Sequence, residues 1–240
     1  MSKFFLGMLP VFALLFLGSC NDNNDASDEP GSVELKFTGQ YDGDPLLMYE
    51  RAYDYPEDMK TKFQLFHFYL SEVTLLPEKT GADGAVTLSD VALITFKDVQ
   101  DDAAAARGVT LVAENIPPGR YGGIRFGIGL SEKLNKTQPG DYAPGHPLTD
   151  NYWSWATGYV FFKIEGNADI NGDGNFSEKL TFHIGLNEFY REKVFDRPLE
   201  VRSGQPLELN FEVDLADVLA PNQEDFVDFR QVTQDHTNNK

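Results

Sequence analysis

Between Ser32 and Thr38 apolar and polar residues alternate, with Val33, Leu35 and Phe37 set against Glu34, Lys36 and Thr38. A period of two places each set on its own face of a pleated strand, so the segment predicts a half-buried β-strand. Residues 63–76 predict a longer one. Its faces read Phe63, Leu65, His67, Tyr69 and Gln64, Phe66, Phe68, Leu70. Both are apolar, as expected of a central strand covered on each side. Short strands are predicted at 85–88, 91–96, 109–112, 121–130, 159–164, 179–184, 198–201 and 207–215, each bounded by turn-forming residues. Segments 98–108 and 216–219 allow one helical turn each, and no longer amphipathic helix emerges. The pattern predicts an all-β chain, a single antiparallel β-sandwich with long loops.

The loops carry their own expectations. Residues 131–149 form a polar stretch long enough to bind or cover something, with His146 exposed between Gly145 and Pro147. Residues 186–196 read as a charged connection. Residues 225–240 read as a polar tail containing His236, with little to hold it in place.

The chain start changes the picture. Lys3 and the apolar run 4–17, too short to span a bilayer as a stable helix, precede Leu17-Gly18-Ser19-Cys20. This resembles a bacterial lipoprotein signal cut before a cysteine that is then acylated. Each buried CH₂ of such an anchor contributes roughly 0.8 kcal/mol. The expected organisation is a signal peptide at 1–19, an acidic tether at 20–31, the β-domain at 32–219 and a polar tail at 220–240. The expected location is the cell envelope, anchored to the outer membrane through Cys20. As Cys20 is the only cysteine, the mature domain has no thiol for a disulfide, a thiolate metal site or a cysteine nucleophile. A net charge of −18 repels nucleic acid and favours cations as ligands.

Candidate chemistry concentrates in 151–185, which holds both tryptophans. Asp169-Ile170-Asn171-Gly172-Asp173-Gly174 matches the opening of a calcium loop, in which several oxygens surround a glycine-permitted turn. Asp169, Asn171, Asp173, the Asn175 carbonyl and Ser177 are candidate ligands. The twelfth position is Leu180 in place of a bidentate acid, which leaves Glu178 in altered geometry. A polar hairpin turn explains the same residues without an ion. Trp153 and Trp155 share a side if the chain is extended there. They serve as core, as a sugar-stacking platform with Tyr152, or as the wall of a metal site with His183 on a neighbouring strand. His67 reads either as a buried, hydrogen-bonded histidine or as a ligand.

Six short pieces in order resemble the MbnP-like family of methanobactin-associated copper-binding proteins. They are Phe68-Tyr69-Leu70-Ser71, Pro117-Pro118-Gly119-Arg120-Tyr121, Ile124-Arg125-Phe126-Gly127-Ile128-Gly129, Tyr152-Trp153-Ser154-Trp155 with Gly158-Tyr159, Phe162-Lys163-Ile164-Glu165-Gly166, and Phe182-His183-Ile184-Gly185. The resemblance runs from Val33 to Leu215. It implies an exported β-sandwich that binds copper through imidazoles and, in some relatives, a tryptophan oxidised to kynurenine by a haem-containing partner. By position it makes His183 the candidate imidazole and Trp153 or Trp155 the candidate for oxidation. Imidazole suits copper without a thiolate. Where relatives carry Trp-x-His this chain has Trp155, so a second ligand is sought in His67, His146 or a group other than histidine. No nucleophile–base pair or phosphate loop emerges, which predicts a binding protein rather than an enzyme. The competing expectation is a surface glycan- or protein-binding module built on Tyr152, Trp153 and Trp155.

Overall fold

The computed structural model describes residues 29–79, 81, 84–153 and 158–236. Cys20 and Trp155 lie outside them. The chain enters through β1 (Gly31–Tyr41), whose inward residues Val33, Leu35 and Phe37 are almost wholly buried, as the alternation predicts. Two-residue strands β2 (Asp44–Pro45) and β3 (Tyr53–Asp54) lead into β4 (Lys60–Pro77), the long central strand. Next come β5 (Val86–Thr95), helix α1 (Asp102–Arg107), β6 (Val109–Ile116) and β7 (Gly119–Ile128). Asp101 caps α1 by accepting the Ala104 N–H at 2.7 Å, which holds this single alanine-rich turn in place.

After a short helix α2 (Glu132–Asn135) the hairpin β8 (Tyr152–Trp153) and β9 (Gly158–Tyr159) precedes a second hairpin, β10 (Phe162–Asp169) and β11 (Glu178–Ile184). The chain closes with β12 (Arg191–Phe195), β13 (Leu199–Val201), β14 (Pro206–Asp214), helix α3 (Ala216–Leu219) and β15 (Gln234–His236). No helix among the described residues is long and apolar enough to cross a membrane.

Two sheets enclose the core. In the smaller, β1 lies between β14 and the strands β2 and β6. The larger runs β12-β7-β4-β10-β11-β15, with β13 beside β7 and β3 and β5 beside β4. Phe37 of the smaller sheet meets Phe68 and Phe126 of the larger edge to face, at 6.4 and 6.5 Å between centroids. The two halves of β4 pair with different strands, Lys60–Phe68 with β10 and Leu70–Pro77 with β7. One face packs into the main core through Phe66 and Leu70 and the other into a second core through Tyr69, and all three are fully buried.

Several local expectations need correction. The pairs β1–β14 and β11–β15 run parallel, because each joins strands separated by a long excursion of chain rather than by a hairpin. The expected strands 85–88 and 91–96 are one strand, β5. The charged connection contains β12, an exposed edge strand whose polar sequence carries no buried face. The polar tail is held: Phe229 is 1% exposed and stacks on Tyr55 at 4.1 Å, and the Tyr55 hydroxyl donates to the Val227 carbonyl at 3.0 Å. Loop 131–149 covers a small second core of Tyr69, Leu130, Leu148, Tyr159 and Phe161. Its His146 is half-buried, stacked on Tyr142 at 4.1 Å, and its Nδ1 accepts the Leu148 N–H at 3.1 Å.

Candidate metal centre

The hairpin β10–β11 sets the geometry of the candidate site. Its register places Lys163 opposite His183, while on the other side of β10 Lys163 lies opposite His67. The parallel pair β11–β15 places His236 opposite His183. Residues directly opposite across a ladder share a face, so His67, Lys163, His183 and His236 form one row across four strands.

Trp153, from the neighbouring β8, closes over the end of that row. Its ring lies 5.3 Å from the His183 ring and 5.4 Å from the His236 ring, and the two imidazoles are 5.0 Å apart. His183 and Trp153 are thus brought together as the sequence suggested. His67 stands two strands away, with Lys163 between.

The hydrogen bonds of these rings are incomplete. His183 Nε2 lies 2.7 Å from the Glu165 carboxylate, while its Nδ1 is buried with no hydrogen-bond partner among the described residues. His236 Nδ1 and His67 Nε2 are buried in the same condition. A buried polar atom left without a partner costs about 1–3 kcal/mol, so three along one row are a costly arrangement unless something else satisfies them.

Burial favours the neutral form of His67 and His183, the form that binds metal. His67 is pushed down to about 4 by burial, with Lys163, His183 and Lys97 adding in the same direction. Burial also lowers His183, outweighing the opposing pull of Glu165. Lys163 is lowered by burial too, against Glu165 and Asp150, and its ammonium donates to Asn151 Oδ1 at 2.6 Å. Asn151 in turn donates to the Tyr69 hydroxyl at 3.3 Å, which donates to the Pro147 carbonyl at 2.8 Å. This chain ties the segment leading into Trp153 to the central strand.

Among the described residues no group of three or more His, Cys, Asp or Glu side chains is set to hold a metal. The donor set is two close imidazoles beside an indole, with a third imidazole along the row. Sequence reasoning missed His236 and Glu165. Nothing in Gln234-Asp235-His236 signals a strand. Glu165 could have been found, because a hairpin between 164 and 179 already sets it near His183.

The calcium-like loop is the β10–β11 turn. The Asp169 carboxylate, 1% exposed, accepts the N–H groups of Asn171 and Asp173 at 3.2 Å and of Gly174 at 2.8 Å. Burial works against its charge, but the backbone donors outweigh it and hold the group below the ordinary carboxylate range. Asn171, Asp173 and Asn175 are exposed at the tip, and Glu178 begins β11.

The fold and site define a β-protein whose larger sheet carries a row of histidines, capped by a tryptophan from the two-stranded β8–β9 sheet. The profile of the MbnP family matches residues 30–238, and the chain belongs to that family. The solved structure of MbnP from Methylosinus trichosporium superposes with a TM-score of 0.50 at 19% identity, over 70% of this chain and 72% of that one. None of the curated proteins searched matches.

Proposed function

We propose that this protein is an envelope lipoprotein, anchored through an acylated Cys20 at the outer membrane, that binds copper and is not an enzyme. The metal is held by His183 and His236 beneath Trp153. The observation that carries this reading is the pair of buried Nδ1 atoms on adjacent strands, each without a partner among the described residues, on rings 5.0 Å apart. Imidazole nitrogens suit copper in either oxidation state, and membership of the MbnP family supports copper over other metals. Oxidation of Trp153 or Trp155 to kynurenine by a haem-containing partner would add donor atoms beside the imidazoles. His67, on the same row, remains a candidate for a further ligand.

The engagement of Trp153 with two imidazoles favours this reading over an aromatic platform for glycan or protein, which needs an open indole face. The test is copper content of the protein from its native envelope, followed by copper titration of the full chain and of His183→Ala and His236→Ala. Stoichiometric copper lost in both variants is expected. Wild-type binding by both variants would move the site elsewhere.

Calcium in the Asp169 loop is the second part of the proposal. It is supported by the buried carboxylate at the first position of the motif and by the exposed oxygen-bearing side chains of Asn171, Asp173 and Asn175.

A further inference from the structure

We propose that Glu165 is the positioning residue of this centre, fixing the tautomer of His183 and presenting its Nδ1 as the donor atom. The inference rests on the copper reading above. Glu165 and Lys163 are two residues apart on β10 and so share a face; Glu165 is paired with Thr181, which makes His183 its diagonal neighbour on β11. The carboxylate therefore meets the edge of the imidazole at 2.7 Å without distortion of either strand.

An ionised carboxylate only accepts hydrogen bonds, so Nε2 must carry the proton that it donates to Glu165. A neutral imidazole has one N–H, and Nδ1 is then left with its lone pair. The alternative is an ion pair with a doubly protonated ring. That would bury an Nδ1–H with no acceptor among the described residues and leave no lone pair on that atom for a metal. The arrangement is that of a metal-binding histidine whose distal nitrogen is anchored by a carboxylate, which fixes the ring and raises the basicity of the donor atom. The Glu165 side chain is 34% exposed and that of His183 is 12% exposed, so the anchor lies on the solvent side and the donor atom on the inner side.

The experiment uses the full chain in detergent, with Cu(I) supplied against a chromogenic chelator, and records ¹⁵N-detected tautomer signals of the metal-free protein. In the wild type His183 is expected as the Nε2–H tautomer. Glu165→Leu should give a mixture of tautomers and a 10–100-fold weaker Cu(I) affinity, the usual effect of losing such a partner. Glu165→Gln, whose amide oxygen can still accept the Nε2 proton, should restore most of both. An unchanged tautomer and affinity in Glu165→Leu would overturn the positioning role, even with His183→Ala binding no copper. If His183→Ala keeps wild-type copper binding, the copper reading fails and this inference with it, whatever the tautomer.

Discussion

His183 and His236 face each other across a parallel strand pair, rings 5.0 Å apart, although one belongs to a central hairpin and the other to the last described residue of the chain. A parallel partner cannot arrive through a hairpin, and the segment between them adds β12 and β13 beside β7 in the larger sheet, contributes β14 to the smaller one, and returns. Both imidazoles are needed for a chelate. His183→Ala, His236→Ala and the double variant should therefore weaken Cu(I) binding to nearly the same extent, since either single loss already leaves a lone imidazole. Chelator competition on the three variants reads this directly, and additive losses would argue for two independent sites.

The return of that segment depends on Phe229. Phe229→Ala removes a buried ring stacked on Tyr55 and should cost about 3–5 kcal/mol of stability. It should also weaken copper binding without touching a ligand, because β15 loses its anchor. Urea unfolding and a copper titration on the same preparation separate the two effects.

His67 predicts the pH dependence of the metal-free protein. Its folded value of about 4 lies below the ordinary 6.5, so the unfolded chain takes up the proton first as pH falls. The stabilising contribution is present above about 6.5 and is lost progressively down to about 4, amounting to roughly 3 kcal/mol at 1.36 kcal/mol per unit. His67→Leu should flatten the stability profile across that window, as measured by denaturant midpoints at stepped pH.

Asp169 joins three backbone donors that have no other acceptor in the turn. Asp169→Ala should lower the melting temperature even in chelator. Calcium should raise the melting temperature of the wild type and leave that of the variant unchanged. Equal midpoints for the wild type with and without calcium would leave the loop as a turn alone.

Gly166 sits where the β10–β4 ladder changes register, and a Cβ there would meet the Lys62 carbonyl oxygen at 2.2 Å. Gly166→Ala should cost about 1–3 kcal/mol through overpacking, visible as a lower denaturant midpoint. As Glu165 is the adjacent residue, the shift should also disturb its contact with His183.

Much of the fold was readable before any coordinates. Val33, Leu35 and Phe37 announce β1 by alternation, the doubly apolar run around Phe66 and Phe68 announces a covered central strand, and Asp169 to Gly174 announce the β10–β11 turn. These signals are local, because they depend on which face a residue must bury. The site was half readable: His183 lies on a strand that the alternation predicts, whereas Trp153 stood out only as one of two tryptophans in the stretch 151–185. His236 was not readable, since Gln234-Asp235-His236 has no apolar period and is fixed by Phe229, a residue outside the strand. β12 was missed because Arg191-Glu192-Lys193-Val194-Phe195 lies exposed at an edge and shows no alternation, although its Phe195 ring packs on Phe126 and Phe211.

On the copper reading, the position of His236 ties the metal site to the docking of β15. The donor pair cannot exist in any fragment that stops before β15, nor in a chain whose last segment has yet to dock. A protein threaded unfolded across a membrane would thus carry no preformed copper trap in transit. It would acquire one only after the final strand closes, so metal retention becomes a readout of finished folding.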